Sequence, residues 1–463
     1  MFTRKTTLML SLIEGGVLWL TALVSMGVAN DLLAPQGPAV PWELALGRSF
    51  AFAVIGVTSL YFADLYDMVT LRRPAAFPER LPYTLALALC LLAALYYLLP
   101  ALRLGAHVLL PCAAAGVVFL LAVRIALGRS VRRREPERVL LLGDQTLGGR
   151  LADAITAKGR GEYLVVGVVA LAPDAEGINR QLQKAMQDTT PDRVVVATGD
   201  RQAPLPLQQL LQSRLSGVAV EDYVPFYERL AGKIALDRLS PGSVVFGDGF
   251  GEARLYTAFS RAVGLIAATF GLLVLAPFMA LIAVGIRVTS PGPVFFIHQR
   301  VGRHGKPYGL IKLRTMHIAD GPHSEWARDN NDRITPLGRV LRRFRIDELP
   351  QLINVLKGDM NLVGPRPHPV SNYLMFMERI PHYAFRSVVR PGITGWAQVR
   401  YGYANNLEQE IEKMRFDLFY IRNVSIWLDL RVLFETIRIV LRGHEGAIVV
   451  DPAIRGQRFG TLS

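Results

Sequence analysis

The apolar positions of the chain are concentrated in four long runs near its beginning. These runs lie at about 7–29, 44–64, 81–102 and 105–127. Each is close to the ~20 residues that a helix needs to cross a bilayer. The pattern therefore predicts a four-helix transmembrane bundle over residues 1–130 as the first domain.

The basic residues near these runs predict the orientation of the bundle. Arg4 and Lys5 precede the first run, whereas the loop between the first and second runs carries Asp31 and Glu43 and has no Lys or Arg. Further basic residues lie between the second and third runs and after the fourth: Arg72, Arg73, Arg80, Arg129, Arg132, Arg133, Arg134 and Arg138. Because Lys and Arg are enriched in cytoplasmic loops, both ends of the block are expected in the cytoplasm.

After the apolar runs, short apolar and amphipathic segments alternate. Strand-like runs lie at 139–142, 163–170 and 193–197, and helix-like stretches at 147–157 and 178–188. This alternation predicts a Rossmann-like α/β middle domain over residues 131–250. Its first turn has Gln145 where a dinucleotide-binding turn would have glycine, so a structural or regulatory role is favoured over a nucleotide site.

A fifth apolar stretch, Ala262–Val288, is long enough to span a bilayer and contains Pro277. Positive charges lie on both sides of it, which suits a helix that enters and leaves by the same membrane face. Proline removes one backbone donor and bends a helix. Two interpretations stay open from this stretch alone, namely a crossing helix with a kink and a re-entrant helix.

Composition supports a membrane protein that meets anionic partners. The chain is 51% hydrophobic and 19% charged, with a mean hydropathy of +0.28 and a formal charge of +14. Membrane segments favour anionic lipid and phosphorylated substrates over nucleic acid as the partners of this charge. Cys90 and Cys112 fall inside apolar runs and are expected to be small buried hydrophobic residues.

The polar C-terminal part carries the candidate chemistry. Asp347 and Glu348 are adjacent carboxylates, of which one can act as a nucleophile toward phosphorus and the other can hold a divalent cation. A solvated helix face with surface ion pairs is the alternative interpretation of such a pair. Candidate phosphate-binding cations are Lys312, Arg314, Arg342 and Arg366. Arginine suits phosphate because its planar group can bind two oxygens.

Near the C-terminus, Trp396, Tyr401, Tyr403, Trp427 and the apolar stretch Leu428–Leu441 allow two interpretations. They can form a surface at the membrane interface, since aromatic side chains anchor helices there. They can equally belong to an ordinary protein core.

A run of closely spaced motifs resembles the bacterial sugar transferase family, the monotopic polyprenyl-phosphate phosphoglycosyl transferases. The matching residues are Gln299-Arg-Val-Gly302, Lys312-Leu-Arg314-Thr-Met316, Arg345-Ile-Asp347-Glu348-Leu-Pro350-Gln351, Asn354-Val-Leu-Lys-Gly358-Asp-Met360, Val363-Gly-Pro-Arg366-Pro367 and Arg390-Pro-Gly392-Ile-Thr-Gly395-Trp396-Ala-Gln398. They follow the family's order, within a C-terminal part of roughly 200 residues that begins at about residue 255.

The resemblance implies a mainly α catalytic domain over residues 251–463, with a re-entrant helix at 262–288 that is broken at Pro277. It assigns Asp347 as the nucleophile and Glu348 as the Mg²⁺ ligand. Asp417 also matches a family position, although an ordinary ion pair is an equal alternative for it. A crossing helix would place the catalytic residues outside the cell, away from nucleotide sugars, so the resemblance favours re-entry.

The function implied is transfer of a hexose-1-phosphate from a UDP-sugar to polyprenyl (undecaprenyl) phosphate through a covalent aspartyl intermediate, with release of UMP. Such a step begins exopolysaccharide, capsule or O-antigen assembly at the bacterial inner membrane, with the catalytic domain facing the cytoplasm. Larger members of the family suggest a homodimer. The rival functions are a nucleotide-binding membrane sensor and a glycosyltransferase that releases UDP.

Overall fold

The computed structural model describes residues 2–33, 41–63, 65–66, 76–132, 135–158, 162–170, 175–198, 205–238, 254–317, 333–402 and 404–442. Contacts divide the chain into two units. The first comprises Met1–Leu140, Gly159–Gly167 and Met186–Arg193, and the second comprises Leu141–Lys158, Val168–Ala185 and Val194–Ser463. The predicted domain boundaries stay predictions, and the one at 250 lies outside the described residues.

Four long helices form the N-terminal part: α1 (Phe2–Leu33), α2 (Trp42–Phe62), α3 (Ala76–Leu98) and α4 (Ala106–Arg132). Each contains a segment long and apolar enough to cross a membrane, namely Leu8–Val28, Trp42–Phe62, Phe77–Leu98 and Ala106–Ala126. The four apolar helices predicted from the sequence are therefore confirmed, with ends that differ by a few residues.

One ion pair links the first and last of these helices. Arg124 Nε on α4 lies 2.8 Å from Glu14 Oε1 on α1, and both side chains are buried. Arg124 also donates a hydrogen bond to the Leu65 carbonyl at 2.8 Å. Since an unpaired charge among apolar helices is costly, each residue stabilises the other in this position.

The middle of the chain forms a four-stranded sheet with helices between its strands. The elements are β1 (Glu137–Gly143), α5 (Gln145–Lys158), β2 (Tyr163–Ala170), α6 (Ala175–Thr189), β3 (Arg193–Ala197), α7 (Leu207–Leu215), β4 (Ala219–Asp222) and α8 (Tyr223–Ala231). The strand order is β2-β1-β3-β4. All three predicted strands and both predicted helices are present, whereas α7, β4 and α8 had no clear signal in the sequence.

The C-terminal part is mainly helical, as predicted. It contains α9 (Arg254–Thr289), β5 (Phe295–Val301), β6 (Pro307–Leu313), α10 (Pro336–Arg343), α11 (Gln351–Lys357), β7 (Asn361–Val363), α12 (Val370–Arg379), β8 (Gly392–Thr394), α13 (Trp396–Arg400), α14 (Leu407–Arg422) and α15 (Ile426–Arg442). Strands β5 and β6 form an antiparallel hairpin, and β7 pairs with β8 in parallel.

Helix α9 has one face against the C-terminal domain and one apolar face exposed. On the packed face, Ala268 belongs to a buried cluster with Val355, and Ile286 to another with Leu341. The exposed large side chains include Ile266, Phe270, Leu273, Phe278, Leu281, Val284 and Val288. The helix continues through Pro277, and its re-entry into one membrane face stays a prediction.

The aromatic residues near the C-terminus fall into two groups. Trp396 and Tyr401 are buried in the core of the C-terminal domain, together with residues of α14. Trp427, at the start of α15, is 64% exposed. Tyr403 lies outside the described residues.

The pairing of β7 with β8 depends on close backbone contact. A Cβ atom added to Gly395 would lie 2.2 Å from the Gly364 carbonyl oxygen, nearer than any side chain tolerates. Only glycine at position 395 therefore lets the loops after β7 and β8 approach each other.

We expect Gly395→Ala to destabilise the C-terminal domain by about 2–3 kcal/mol, because the added methyl group must push these loops apart. Thermal unfolding of the detergent-solubilised protein measures this. Gly264→Ala on α9 is the matched control, since its added Cβ would make an ordinary 3.5 Å contact with Val355. Equal melting temperatures for the two variants would contradict the proposed close approach.

Candidate active site

Asp347 and Glu348 lie in a tight turn between two short helices. Helix α10 begins at Pro336, where the Thr335 hydroxyl accepts a hydrogen bond from the Gly338 N–H at 2.9 Å, as helix N-caps do. After α10 ends, Arg345 adopts a left-handed conformation with φ of 54°, and Ile346–Glu348 form one 3₁₀ turn. The reversal turns both carboxylates inward, leaving Asp347 8% and Glu348 5% exposed.

The Glu348 carboxylate is held by three cationic side chains, two from distant parts of the chain and one from its own turn. Lys312 Nζ, on β6, lies 3.1 Å from Glu348 Oε1, and Arg366 Nη2, after β7, lies 2.9 Å from the same oxygen. Arg345 Nη1 is 3.9 Å from Oε2. Burial would raise the pKa of Glu348, but these positive charges outweigh it and hold that pKa well below its usual range. Glu348 is therefore an anion at neutral pH.

Gln398 fixes two of these cations relative to each other. Its Oε1 atom accepts hydrogen bonds from Arg345 Nη1 and Arg366 Nη1, each at 3.0 Å. Its Nε2 atom donates to the Ile393 carbonyl at 3.2 Å, which sets the orientation of the amide. One neutral side chain thus positions both arginines beside Glu348.

Asp347 differs from its neighbour in having no such partner. Among the described residues, no hydrogen bond or ion pair to its carboxylate is present. Burial, followed by the adjacent charge of Glu348, raises the pKa of Asp347, although Lys312 and Arg342 act in the opposite direction. The site therefore combines Glu348, whose negative charge is compensated by cations, with Asp347, which is more basic and available for bonding.

Arg342 and Arg314 occupy different places from the cations at Glu348. Arg342 Nε donates to Thr315 Oγ1 at 2.9 Å, and its charge acts on Asp347. Arg314 is 7% exposed, and its Nη2 donates to the Ser290 carbonyl at 2.6 Å, at the end of α9. Cations favour helix C-termini, so Arg314 holds the end of α9 in this structure.

Asp417 lies in a separate buried cluster behind Arg366. Its Oδ2 atom is 2.7 Å from Arg386 Nη2, and the same nitrogen donates to the Arg366 carbonyl at 3.1 Å. Arg386 Nη1 also donates to Tyr383 Oη at 2.6 Å. Asp417 therefore reaches the Asp347 site through Arg386 and the backbone of Arg366.

The same cluster contains a buried histidine. His368 Nε2 lies 3.1 Å from Glu410 Oε1, and Lys413 Nζ is 3.3 Å from Glu410 Oε2. Burial lowers the pKa of His368 to about 3, despite the attraction of Glu410. His368 is consequently neutral at physiological pH, and its role here is hydrogen bonding and packing.

A small surface pocket includes Arg366 in its lining. It is lined by Val301, Gly302, Pro365, Arg366, Pro367, His368, Tyr373, Arg386, Ser387, Val389 and Pro391. Its walls combine apolar side chains with the Ser387 hydroxyl and the Tyr373 hydroxyl, which lie 3.2 Å apart.

The carboxylates suit a cation that is shared with substrate. Among the described residues, no group of three or more His, Cys, Asp and Glu side chains has the spacing of a metal site. Mg²⁺ needs fewer protein ligands, because it usually takes one or two carboxylates and completes its shell with water and phosphate oxygens. Asp347, without a partner, and Glu348 Oε2, with its cation at 3.9 Å, fit that pattern.

The structure thus brings together four of the residues selected from the sequence, Asp347, Glu348, Lys312 and Arg366, with Arg342 nearby. Sequence reasoning missed Arg345 and Gln398 as members of the site, although both stand in the motifs of the resemblance. It also missed Arg386, because a buried ion pair with a residue 31 positions away has no local signal.

Comparison with known proteins matches the same part of the chain. The family profile described as bacterial sugar transferase matches residues 255–443. A UDP-N-acetylgalactosamine-undecaprenyl-phosphate N-acetylgalactosaminephosphotransferase of Aeromonas hydrophila is 38% identical over 238 residues, or 50% of this chain and 55% of that protein. A UDP-glucose:undecaprenyl-phosphate glucose-1-phosphate transferase of Caulobacter vibrioides is 44% identical over 180 residues, or 38% of this chain and 67% of that protein.

A third relative is short and is matched nearly whole. The exopolysaccharide production protein PSS of Rhizobium leguminosarum is 39% identical over 184 residues, which cover 38% of this chain and 92% of that protein. By contrast, the chain spans little more than half the length of the Aeromonas protein. The similarity therefore concentrates on the segment that contains Asp347.

We expect Asp417→Asn to lower stability by about 3 kcal/mol, because Arg386 would stay buried with less compensating charge. Thermal unfolding tests this, with Glu221→Gln as the control, since its partner Arg229 is 47% exposed. The Michaelis constant for nucleotide sugar should not change in the folded variant. A raised Michaelis constant with unchanged stability would make Asp417 a substrate-binding residue instead.

Proposed function

Because this chain belongs to the bacterial sugar transferase family, we propose that it transfers a hexose-1-phosphate from a UDP-sugar to undecaprenyl phosphate and releases UMP. The observation that carries the proposal is the contrast between the two buried carboxylates. Glu348 is neutralised by Lys312 and Arg366, whereas Asp347 has no partner among the described residues. The relatives are named for glucose and for N-acetylgalactosamine transfer, and the hexose is left general here.

The first half-reaction forms a covalent intermediate. A carboxylate oxygen of Asp347 attacks the β-phosphorus of the UDP-sugar, and the bond from that phosphorus to the bridging oxygen breaks. The bonding electron pair leaves with UMP, so Asp347 carries a sugar phosphate as an acyl phosphate. A raised pKa makes Asp347 a stronger nucleophile than an exposed aspartate would be.

The second half-reaction restores the carboxylate. A phosphate oxygen of undecaprenyl phosphate attacks the same phosphorus, and the acyl bond to Asp347 breaks. The product is a diphosphate that links the lipid to the sugar. Such a product would begin assembly of an exopolysaccharide, capsule or O-antigen.

The cations of the site have a common task, which is to neutralise the phosphate groups. Lys312 and Arg366 keep 19% and 23% of their side chains exposed, so both can bind phosphate oxygens while they hold Glu348. Arg342 adds positive charge beside Asp347. Mg²⁺, held by Glu348 together with phosphate oxygens, would supply charge neutralisation for the departing UMP. Arg314 acts indirectly, because it holds the end of α9. Asp417 also acts indirectly, because it holds Arg386.

We further propose that α9 is re-entrant and keeps the C-terminal domain in the cytoplasm at the inner membrane. Tyr256, near its start, donates a hydrogen bond to Asp429 at 2.6 Å, and Ile286, near its end, packs against Leu341. These points are about 45 Å apart along the helix, more than the ~30 Å hydrocarbon core. A crossing helix would carry one of these contacts to the wrong side of the membrane, whereas a helix inserted from one face keeps both.

The middle domain and the assembly complete the proposal. We propose that the four-stranded sheet is a Rossmann-like domain with a structural or regulatory role, and that the chain works as a homodimer. The strand order β2-β1-β3-β4, with helices between the strands, supports the first part. A transferase that moves the sugar alone is the rival function, and it would release UDP instead of UMP.

Wild-type protein mixed with UDP-sugar and no lipid should release UMP in a burst no larger than the enzyme concentration, because each Asp347 reacts once. Intact-mass analysis should show one added hexose phosphate. Asp347→Asn should give neither burst nor adduct, and its loss of turnover should be at least about 10³-fold.

Glu348→Gln is the matched variant for this experiment. It retains the nucleophile, so it should still form the adduct, more slowly and with weaker dependence on Mg²⁺. Release of UMP only when lipid phosphate is present, without any adduct, would establish direct displacement by the lipid. Asp347 would then be a metal ligand or base.

The membrane topology predicts that positions before and after α9 share one side. In a variant with Cys90 and Cys112 replaced by alanine, single cysteines at the exposed positions Gln208 and Glu378 should both be labelled only after the membrane is opened. Ala101→Cys, in the turn between α3 and α4 that the predicted orientation places outside the cell, should be labelled in intact cells. External labelling at position 378 would mean that α9 crosses the membrane.

A further inference from the structure

The segment that follows α8 is part of the core of the C-terminal domain. We call residues 232–236 the strap. Ile234 at its centre is 0% exposed and lies in one buried cluster with Trp396, Phe416 and Tyr420. The Ile234 N–H also donates to the Arg415 carbonyl on α14 at 3.0 Å. The strap is therefore anchored to the domain by both its side chain and its backbone.

Two ion pairs fix the strap in one position on α14. Lys233 pairs with Glu412, and both side chains are 9% exposed. Glu228, in the last turn of α8 just before the strap, pairs with Arg422. Because a buried charge is costly unless its partner is in place, these pairs favour one register of the strap over any sliding of it.

The strap also contacts the helix that carries Gln398. Trp396 Nε1 donates a hydrogen bond to the Gly232 carbonyl at 2.8 Å. Gly232 has a positive φ of 65°, and a Cβ there would lie 3.2 Å from the Trp396 ring. Trp396 is the first residue of the five-residue helix α13, and Gln398 is the third. A shift of Trp396 would therefore move Gln398 with it.

Gln398 couples the position of Trp396 to the arginines beside Glu348. Its single Oε1 atom accepts from both Arg345 and Arg366, and both arginines face Glu348. Gly232 is thus connected to the cations beside Asp347 by the hydrogen bond to Trp396, by helix α13 and by the hydrogen bonds to Gln398.

We propose that the strap positions the arginines of the Asp347 site through Trp396 and Gln398, so that full activity requires the strap to be docked. The inference rests on the proposed function for its kinetic consequence. It assigns a role to residues that precede the family-matched segment 255–443. Trp396 and Gln398 are positioning residues here, because they act on the substrate only through Arg345 and Arg366.

The first test is Trp396→Phe, which removes the hydrogen bond to Gly232 while an aromatic ring keeps its stacking on Phe419. We expect kcat to fall about threefold to tenfold, the size of one lost buried hydrogen bond, with little change in the Michaelis constant. Hydrogen exchange should accelerate at residues 345–348 and 396–400. Arg229→Gln on α8, at a side chain that is 47% exposed in its ion pair with Glu221, should change neither kcat nor hydrogen exchange.

A double-mutant cycle separates positioning from general stability. If Trp396 acts through Gln398, then Trp396→Phe should cause little further loss of kcat in a Gln398→Met background. Ile234→Ala, which loosens the strap while the Trp396 side chain is retained, should show the same pattern and serves if Trp396→Phe fails to fold. Independent losses that multiply in the double variant, or exchange that rises evenly over the C-terminal domain, would overturn the proposal.

The two proposals fail in different ways. If wild-type protein releases no UMP, the proposed function is wrong, and hydrogen exchange still decides whether the strap orders residues 345–348. If the burst is normal but Trp396→Phe changes neither kcat nor local exchange, the role of the strap is wrong and the transferase function stands.

Discussion

The buried charge of Glu348 is the constraint on which the site depends. A carboxylate with 5% exposure costs several kcal/mol unless cations accompany it. Two of those cations come from β6 and from the turn after β7, and the third is the left-handed Arg345 of the turn that carries Glu348 itself, so two distant segments must pack onto this turn before the charge of Glu348 is compensated. The close approach of β7 and β8, which needs glycine at position 395, belongs to the same requirement.

Satisfying Glu348 in this way leaves Asp347 distinct from it. The cations that bond directly to the pair are committed to Glu348, and burial together with its negative neighbour makes Asp347 more basic. Adjacent residues of the same chemical type thereby acquire different properties. Behind them, the cluster around Arg386 holds the backbone of Arg366, so the position of this arginine depends on a second group of buried charges.

The two faces of helix α9 suit different environments. Its packed face carries small residues such as Gly264, Ala268 and Gly271, which let α11 approach closely, while its outer face carries large exposed apolar side chains. Water would disfavour the outer face, and a bilayer would disfavour the polar domain beneath the inner one. The proposed position at one membrane surface would satisfy both faces.

The sequence by itself determined the elements and the chemistry that depend on local patterns. Apolar runs located the four N-terminal helices, alternation located three strands of the middle sheet, and contiguous motifs located Asp347, Glu348, Lys312 and Arg366.

Tertiary structure alone decided what these side chains do to one another. Arg314 and Arg366 were both candidate phosphate-binding cations, yet the first binds the end of α9 and the second binds Glu348. Likewise, Trp396 and Trp427 both suited a membrane interface, but only Trp427 is exposed, because packing of the strap covers Trp396. The periodicity of helices and strands is determined by neighbouring residues, whereas ion pairs and burial depend on which distant segments come into contact.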